Sequence, residues 1–307
     1  MNAQMMGDET GCLYVARDWL LYVSECQSYS GLKNNAPALS ISPRGTWTVT
    51  HGSSETTGRV FLHPPNVERS GHGFGVIALW PLPCTPLSMA LYAATKNSVA
   101  SISSPELLDC KAVQKLIALF PDLLKGHQQD WLAEAIGSIE VHVTAITKDL
   151  RPPDTRAMGL ATLLRRNFPS QGNLGDHAQK LGLSKERLRH VFVHSFNLRI
   201  SQYIAWLKLH ATLTYACSSL SKPTVTEAAL AGEFFDAAHL ANASSRMFAT
   251  RPSETLAETF HFVAVPDGGL IRPVFARHRG FKQHPQWSHT QARTKKAANS
   301  VGPGVQY

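Results

Sequence analysis

The chain has 307 residues, enough for two domains with separate cores, and carries a formal net charge of +8 with a sequence pI near 9.3. Its five cysteines (Cys12, Cys26, Cys84, Cys110 and Cys217) form an odd set without a C-x-x-C pair, which argues against a disulfide framework or a zinc site. No apolar run is long enough to span a bilayer, the N-terminus lacks the basic-then-apolar order of a signal peptide, and no Gly-rich phosphate loop or nucleophile elbow calls for catalysis, so a cytoplasmic non-enzyme without a cofactor is expected.

Residues 1–104 read as a β domain. Short apolar runs at Trp19–Val23, Trp47–Val49, Val60–Leu62 and Val76–Trp80 are separated by Gly, Pro, Ser and Asn clusters, the spacing of strands in a sandwich or barrel. The segment Arg59–Val67, with Pro64 and Pro65, followed by Gly75–Trp80, resembles the strand, proline corner and returning strand of cupin-like sensor domains. His51, His63 and His72 invite a metal reading, but no H-x-H pair occurs, so surface or rim positions are expected and no metal is assigned. His63, beside Pro64, is expected to end a strand.

Residues 105–150 turn helical. Leu107, Leu108, Val113, Leu116, Ile117 and Phe120 form one amphipathic run, Pro121 interrupts it, and Trp131, Leu132, Ile136, Ile139 and Val143 form another. These faces suit either covering the β domain or pairing with a second subunit. Arg151-Pro152-Pro153-Asp154 opens a stiff linker, set at residues 151–159.

In residues 160–260 the stretch GDHAQKLGLSKERLRHVFVHS, Gly175–Ser195, predicts two helices joined by a tight turn. Ala178 and Leu181 lie one turn apart, Gly182 falls at the corner, Leu183 plugs it and Ser184 caps the next helix. Leu188, Val191 and Phe192 share the buried face of that helix, which leaves Lys185, Glu186, Arg187, Arg189 and His190 outside. A similar unit spans Thr224–Glu254, where Phe234 takes the corner-plug place and Asp236 caps a helix that carries Ala238, His239, Asn242 and Arg246. Between the units, Ser201–Ala216 predicts a connecting helix, with Ile204, Leu207, Thr212 and Tyr215 at apolar spacing.

Leu174–Ser253 resembles the DNA-binding domain of the AraC/XylS family of bacterial transcription regulators. The likeness is carried by Ala178, Leu181-Gly182-Leu183-Ser184, Arg187-Leu188, Phe192, Tyr203-Ile204 and Trp206-Leu207-Lys208-Leu209. It continues through Thr226-Glu227-Ala228-Ala229, Phe234, Asp236, Ala238-His239-Leu240, Arg246-Met247-Phe248 and Pro252-Ser253. The resemblance implies an α+β chain: a cupin-like β domain followed by an all-α domain of about seven helices with two helix-turn-helix units. The DNA-contacting positions it implies are Lys185, Glu186, Arg187, Arg189 and His190 in the first unit, and Asp236, Ala238, His239, Asn242 and Arg246 in the second. Double-stranded promoter DNA is the implied partner, and RNA polymerase, an effector of unknown identity and a second copy of the chain are further partners it allows.

Departures concentrate in the second unit. Asn197 stands where the family has a glycine after the first reading helix, a mild change because asparagine tolerates a left-handed backbone. His177 replaces a packing leucine. In the second unit Gly232 comes one place early, which puts Glu233 at the positive-φ position, while Asn242 replaces an arginine, Ser244 a buried phenylalanine and Ala249 a glycine. The second unit is therefore expected to be the looser one.

Charge follows the same division. Residues 160–260 hold eleven basic against seven acidic residues, and residues 261–307 hold seven against one. The latter, with Gly268-Gly269 and Arg293-Thr294-Lys295-Lys296, read as a basic, disordered tail. Two rivals remain at this stage: a cupin-like metalloenzyme with a helical appendage, and a degenerate regulator that acts by pairing with an intact relative.

Overall fold

The structure, a computed structural model, describes residues 11–265 except 27, 97, 128, 148–151, 170–171, 220, 249–250 and 256–259, and these residues fall in one unit, Met1–Val274. The class is α+β. Nine strands come first: β1 Gly11–Val15, β2 Trp19–Ser24, β3 Ser28–Leu32, β4 Ala38–Ile41, β5 Arg44–His51, β6 Ser54–Gly58, β7 Val60–His63, β8 Arg69–Phe74 and β9 Val76–Pro81. Helix α1, Pro86–Thr95, capped by Thr85, and the two-residue strand β10, Ile102–Ser103, follow. Then come α2 Lys111–Ala118, α3 Phe120–Leu124 and α4 Leu132–Ile146, with Pro121 in the first turn of α3.

A seven-stranded sheet has the order β10-β7-β4-β9-β2-β1-β11, where β11 is Phe260–Ala264, and a four-stranded sheet has the order β3-β8-β5-β6. The large sheet is buried on both faces, which explains why its strands read as short apolar runs without clear alternation. Leu13, Val15, Leu20, Val76, Ala78 and Trp80 share a core with Trp47 and Val49 of the small sheet. Cys12, Tyr14, Leu21, Val23, Ile77 and Leu79 share the other core with Leu87, Leu116, Phe120 and Ile136. The helices of residues 105–150 thus cover the sheet, the first of the two roles their faces suit. Tyr14 fixes this layer by donating to the Leu123 carbonyl at 2.8 Å.

Of the three histidines, His72 is exposed and His51 half-buried, as expected of surface or rim positions, whereas His63, which does end β7, is only 2% exposed. Its Nδ1 lies 2.6 Å from Ser101 Oγ, and His51 Nε2 accepts from the Ser101 amide at 2.8 Å, so the two rings are joined through one serine. Among the described residues no group of three or more His, Cys, Asp or Glu is placed to hold a metal ion.

The helical part comprises α5 Thr155–Arg166, α6 Leu174–Lys180, α7 Lys185–Phe196, α8 Ile200–Ser218, α9 Val225–Ala231, α10 Ala237–Phe248 and α11 Pro252–Thr255. Asp154 accepts from the Arg156 amide at 2.8 Å and starts α5, so residues 155–159 of the expected linker are helix instead. Residues 260–264, of which 261–264 were expected to begin the tail, form β11 and pair in parallel with β1, Leu13 opposite Phe262; residues 266–307 lie outside the described residues.

The helices and the β domain share a core rather than meeting through a spacer. The β1–β2 turn is gripped from two sides: Arg165 of α5 pairs with Asp18 and donates to the Arg17 carbonyl, and His210 Nε2 of α8 donates to the Ala16 carbonyl at 2.6 Å. Trp206 Nε1 donates to Asn35 Oδ1 at 2.7 Å. Phe248, at the end of α10, lies 5.0 Å from the Trp80 ring and 5.7 Å from the Trp206 ring, centroid to centroid. No helix among the described residues is long and apolar enough to cross a membrane.

Candidate nucleic-acid interface

The first unit is built by local rules that the sequence states openly. Asn173 starts α6 by accepting from the Gly175 amide at 2.8 Å, and Gly182, at φ +66°, makes the corner. The Leu183 amide bonds back to the Ala178 carbonyl at 2.9 Å. Ser184 then accepts from the Arg187 amide at 3.1 Å and opens α7. Leu188, Val191 and Phe192 are buried, with Phe192 packed edge-on against Phe196 at 4.9 Å. Asn197 ends the helix in a left-handed conformation, φ 50° and ψ 33°.

Lys185, Glu186, Arg187, Arg189 and His190 are all exposed on this fixed helix. They do not form one uniform face. Glu186 and Arg189 are an i,i+3 ion pair at 3.5 Å, and with His190 and Val193 they border a groove completed by His177, Arg199 and Ile204. Arg187 stands outside that groove, and no salt bridge among the described residues holds it. The Lys185 stem lies over the start of α6, where a Cβ on Gly175 would come within 2.4 Å of its Cε. His177 takes the leucine place by burying its ring at 8% exposure.

The second unit reaches the same shape with different chemistry. Thr224 and Glu227 form a reciprocal capping box at α9, with the Thr224 amide 2.8 Å from Glu227 Oε2 and the Glu227 amide 3.2 Å from Thr224 Oγ1. Glu233 carries the positive φ, +59°, as the displaced glycine predicts. Gly232 itself has an ordinary φ and is required by crowding: a Cβ there would meet Thr212 Oγ1 at 2.0 Å and the Lys208 carbonyl at 2.7 Å. Lys208 Nζ donates to the Glu233 carbonyl at 2.5 Å and lies over the Phe234 ring, so α8 stabilises the strained corner.

Asp236 accepts from the His239 amide at 2.6 Å, which makes its carboxylate the start of α10. His239 folds back over this corner, its Nδ1 accepting from the Phe235 amide at 3.4 Å and its ring edge-on to Phe234. Ala238, Asn242 and Arg246 are exposed; Leu240, Ser244 and Met247 are buried. Phe235, 88% exposed and adjacent to Asp236, is an outward aromatic that periodicity could not separate from the corner plug Phe234. The far end of α10 is braced by the β domain, through Phe248 against Trp80 and through Asn34 Nδ2 donating to the Met247 carbonyl. Such a brace joins residues 168 (Trp80 and Phe248) and 213 (Asn34 and Met247) positions apart and has no local sequence signal.

Residues 177–258 match a family model described as a helix-turn-helix domain. Among solved structures, ToxT from Vibrio cholerae O395 is 10% identical at a TM-score of 0.48, covering 83% of this chain and 97% of that one. Wild-type ToxT of strain SCE256 with an unsaturated fatty acid bound is 10% identical at 0.47, over 83% and 95%. The AraC-like transcriptional activator CuxR is 15% identical at 0.31, over 61% and 73%. No curated protein matches the chain at a significant level. A helix-turn-helix domain therefore occupies residues 177–258 of this chain, the segment that holds both units described above.

Proposed function

We propose that the protein reads promoter DNA through tandem helix-turn-helix units, with α7 as the principal reading helix and the β domain answering to a small effector. The observation that carries this reading is α7 itself: a helix fixed by a serine cap, a three-residue apolar seam and a left-handed asparagine, presenting Lys185, Arg187, Arg189 and His190 to solvent. Arg187, free of the Glu186 pair, is assigned to a guanine edge, where a bidentate contact is worth roughly 1–3 kcal/mol of discrimination. Lys185 is assigned to phosphate. Asn242 and Arg246 of α10 supply a weaker second contact, and Asp236 and His239 serve mainly to shape its corner.

A gel-shift titration of the full chain against its own upstream DNA tests the reading. Saturable, competitor-resistant binding is expected. Arg187→Ala and His190→Ala variants that both bind as tightly as the unmodified protein would rule out α7 as the reader.

A further inference from the structure

Phe235, at 88% exposure, is the most open large apolar side chain among the described residues. Its neighbour Phe234 is the buried corner plug, and Asp236 on its other side starts α10 by accepting from the His239 amide, so the Phe235 ring stands outside the corner at the N-terminal end of that helix. The Phe235 amide donates to His239 Nδ1 at 3.4 Å, which ties its backbone to the first turn of α10. From there the exposed Ala238, Asn242 and Arg246, four residues apart, form one stripe along the helix.

In a helix-turn-helix unit the first turns of the second helix reach base edges, and what they carry decides which bases they hold. Guanine takes a paired donor from arginine or lysine, but Arg246 lies in the last turn of α10, about 14 Å along the axis from Ala237. His239 is turned onto Phe234, ring centroids 5.2 Å apart. The leading half of the helix therefore offers an aromatic ring, a methyl group and a carboxamide. A thymine C5-methyl takes apolar contact and adenine N6 and N7 take a carboxamide, so these groups complement the two halves of an A·T pair. Glu233 and Asp236, both exposed on either side of the corner, disfavour phosphate and leave the base edges as the partner for the ring.

We propose that α10 selects A·T pairs, with Phe235 as the residue that determines this specificity: its ring and the Ala238 methyl pack on thymine C5-methyl groups in the major groove, and Asn242 takes adenine. The proposal rests on the reading of α10 as a second DNA contact and names the base pairs that contact prefers. The two units then divide the work by chemistry, guanine falling to Arg187 of α7 and A·T pairs to α10.

The test uses the full chain and a library of random-sequence DNA duplexes. The unmodified protein is expected to select a site that includes A·T pairs, and Phe235→Ala to lose the thymine preference at one or two positions while keeping the rest of the site. Because the ring is exposed, Phe235→Ala should melt at the same temperature as the unmodified protein; a lower one would make the ring a packing residue and overturn the proposal. Deoxyuridine in place of those thymines removes only the C5-methyl. It should weaken binding of the unmodified protein about two- to fivefold and leave Phe235→Ala unaffected. 7-Deazaadenine within the same block should weaken the unmodified protein and leave Asn242→Ala unaffected. A site selected identically by Phe235→Ala, or a deoxyuridine penalty equal in both proteins, overturns the proposal and leaves the DNA-binding reading standing. Selection of no sequence at all overturns both.

Discussion

His210 is completely buried between α8 and the β1–β2 turn, and burial pushes its pKa down to about 4 from 6.5. The folded protein therefore holds this ring neutral where the unfolded chain takes up a proton. Stability is unaffected above pH 6.5, falls as pH drops from 6.5 to about 4, and levels off below, a loss of about 3 kcal/mol. Urea unfolding of the full chain at pH 7.5 and pH 4.5 should show this loss, and His210→Gln should reduce it. Two other residues carry backbone strain that glycine relieves. Asn197→Gly and Glu233→Gly should each be neutral or stabilising by up to about 1 kcal/mol, while Asn197→Val should cost about 1–2 kcal/mol. Thermal melts decide both, and tolerance of valine at 197 would contradict the left-handed cap.

At the scale of elements, the two reading helices are unequal in kind. Helix α7 takes its position from its own cap and seam, whereas α10 depends on a strained corner held by Lys208 and on a brace from the β domain. Gly232→Ala, which drives a methyl into the Lys208 carbonyl, should destabilise by roughly 1–3 kcal/mol and blur protection under α10 before α7. Scrambling the bases under α7 should abolish specific binding, and scrambling those under α10 should cost little; footprints with equal base specificity over both would refute this. The first unit was legible residue by residue because caps, corner glycines and seams are written within four positions of each other. The polar strands β6 and β8 were not, since β8, Arg-Ser-Gly-His-Gly-Phe, offers no apolar alternation. Its Gly73 exists to admit Trp47, whose ring would lie within 2.5 Å of a Cβ there. Helix α1 was hidden behind the prolines Pro81, Pro83 and Pro86, which read as the turn after a strand. Arg69 gave no signal either, because a lone arginine in a polar strand reads as solvated until the fold buries it.

Taken whole, the molecule does not divide where its composition changes. Trp206, Phe248 and His210 belong to the helices by sequence and to the β domain by contact, so cutting the chain at the Pro152-Pro153 segment would expose two aromatic rings and an unpaired Arg165. A fragment spanning residues 154–258 should melt well below the helical part of the intact protein, by an amount that Trp206→Ala in the full chain largely reproduces. Equal melting temperatures would mean that the shared core contributes little. The last strand adds a constraint of another sort. Because β11 is the neighbour of β1, strand β1 leaves a ribosome about 250 residues before the segment that covers its outer edge. At roughly 5–20 residues per second that wait is about 10–50 s. During synthesis the nascent chain therefore presents an open, apolar strand edge, a natural target for chaperones and for wrong partners.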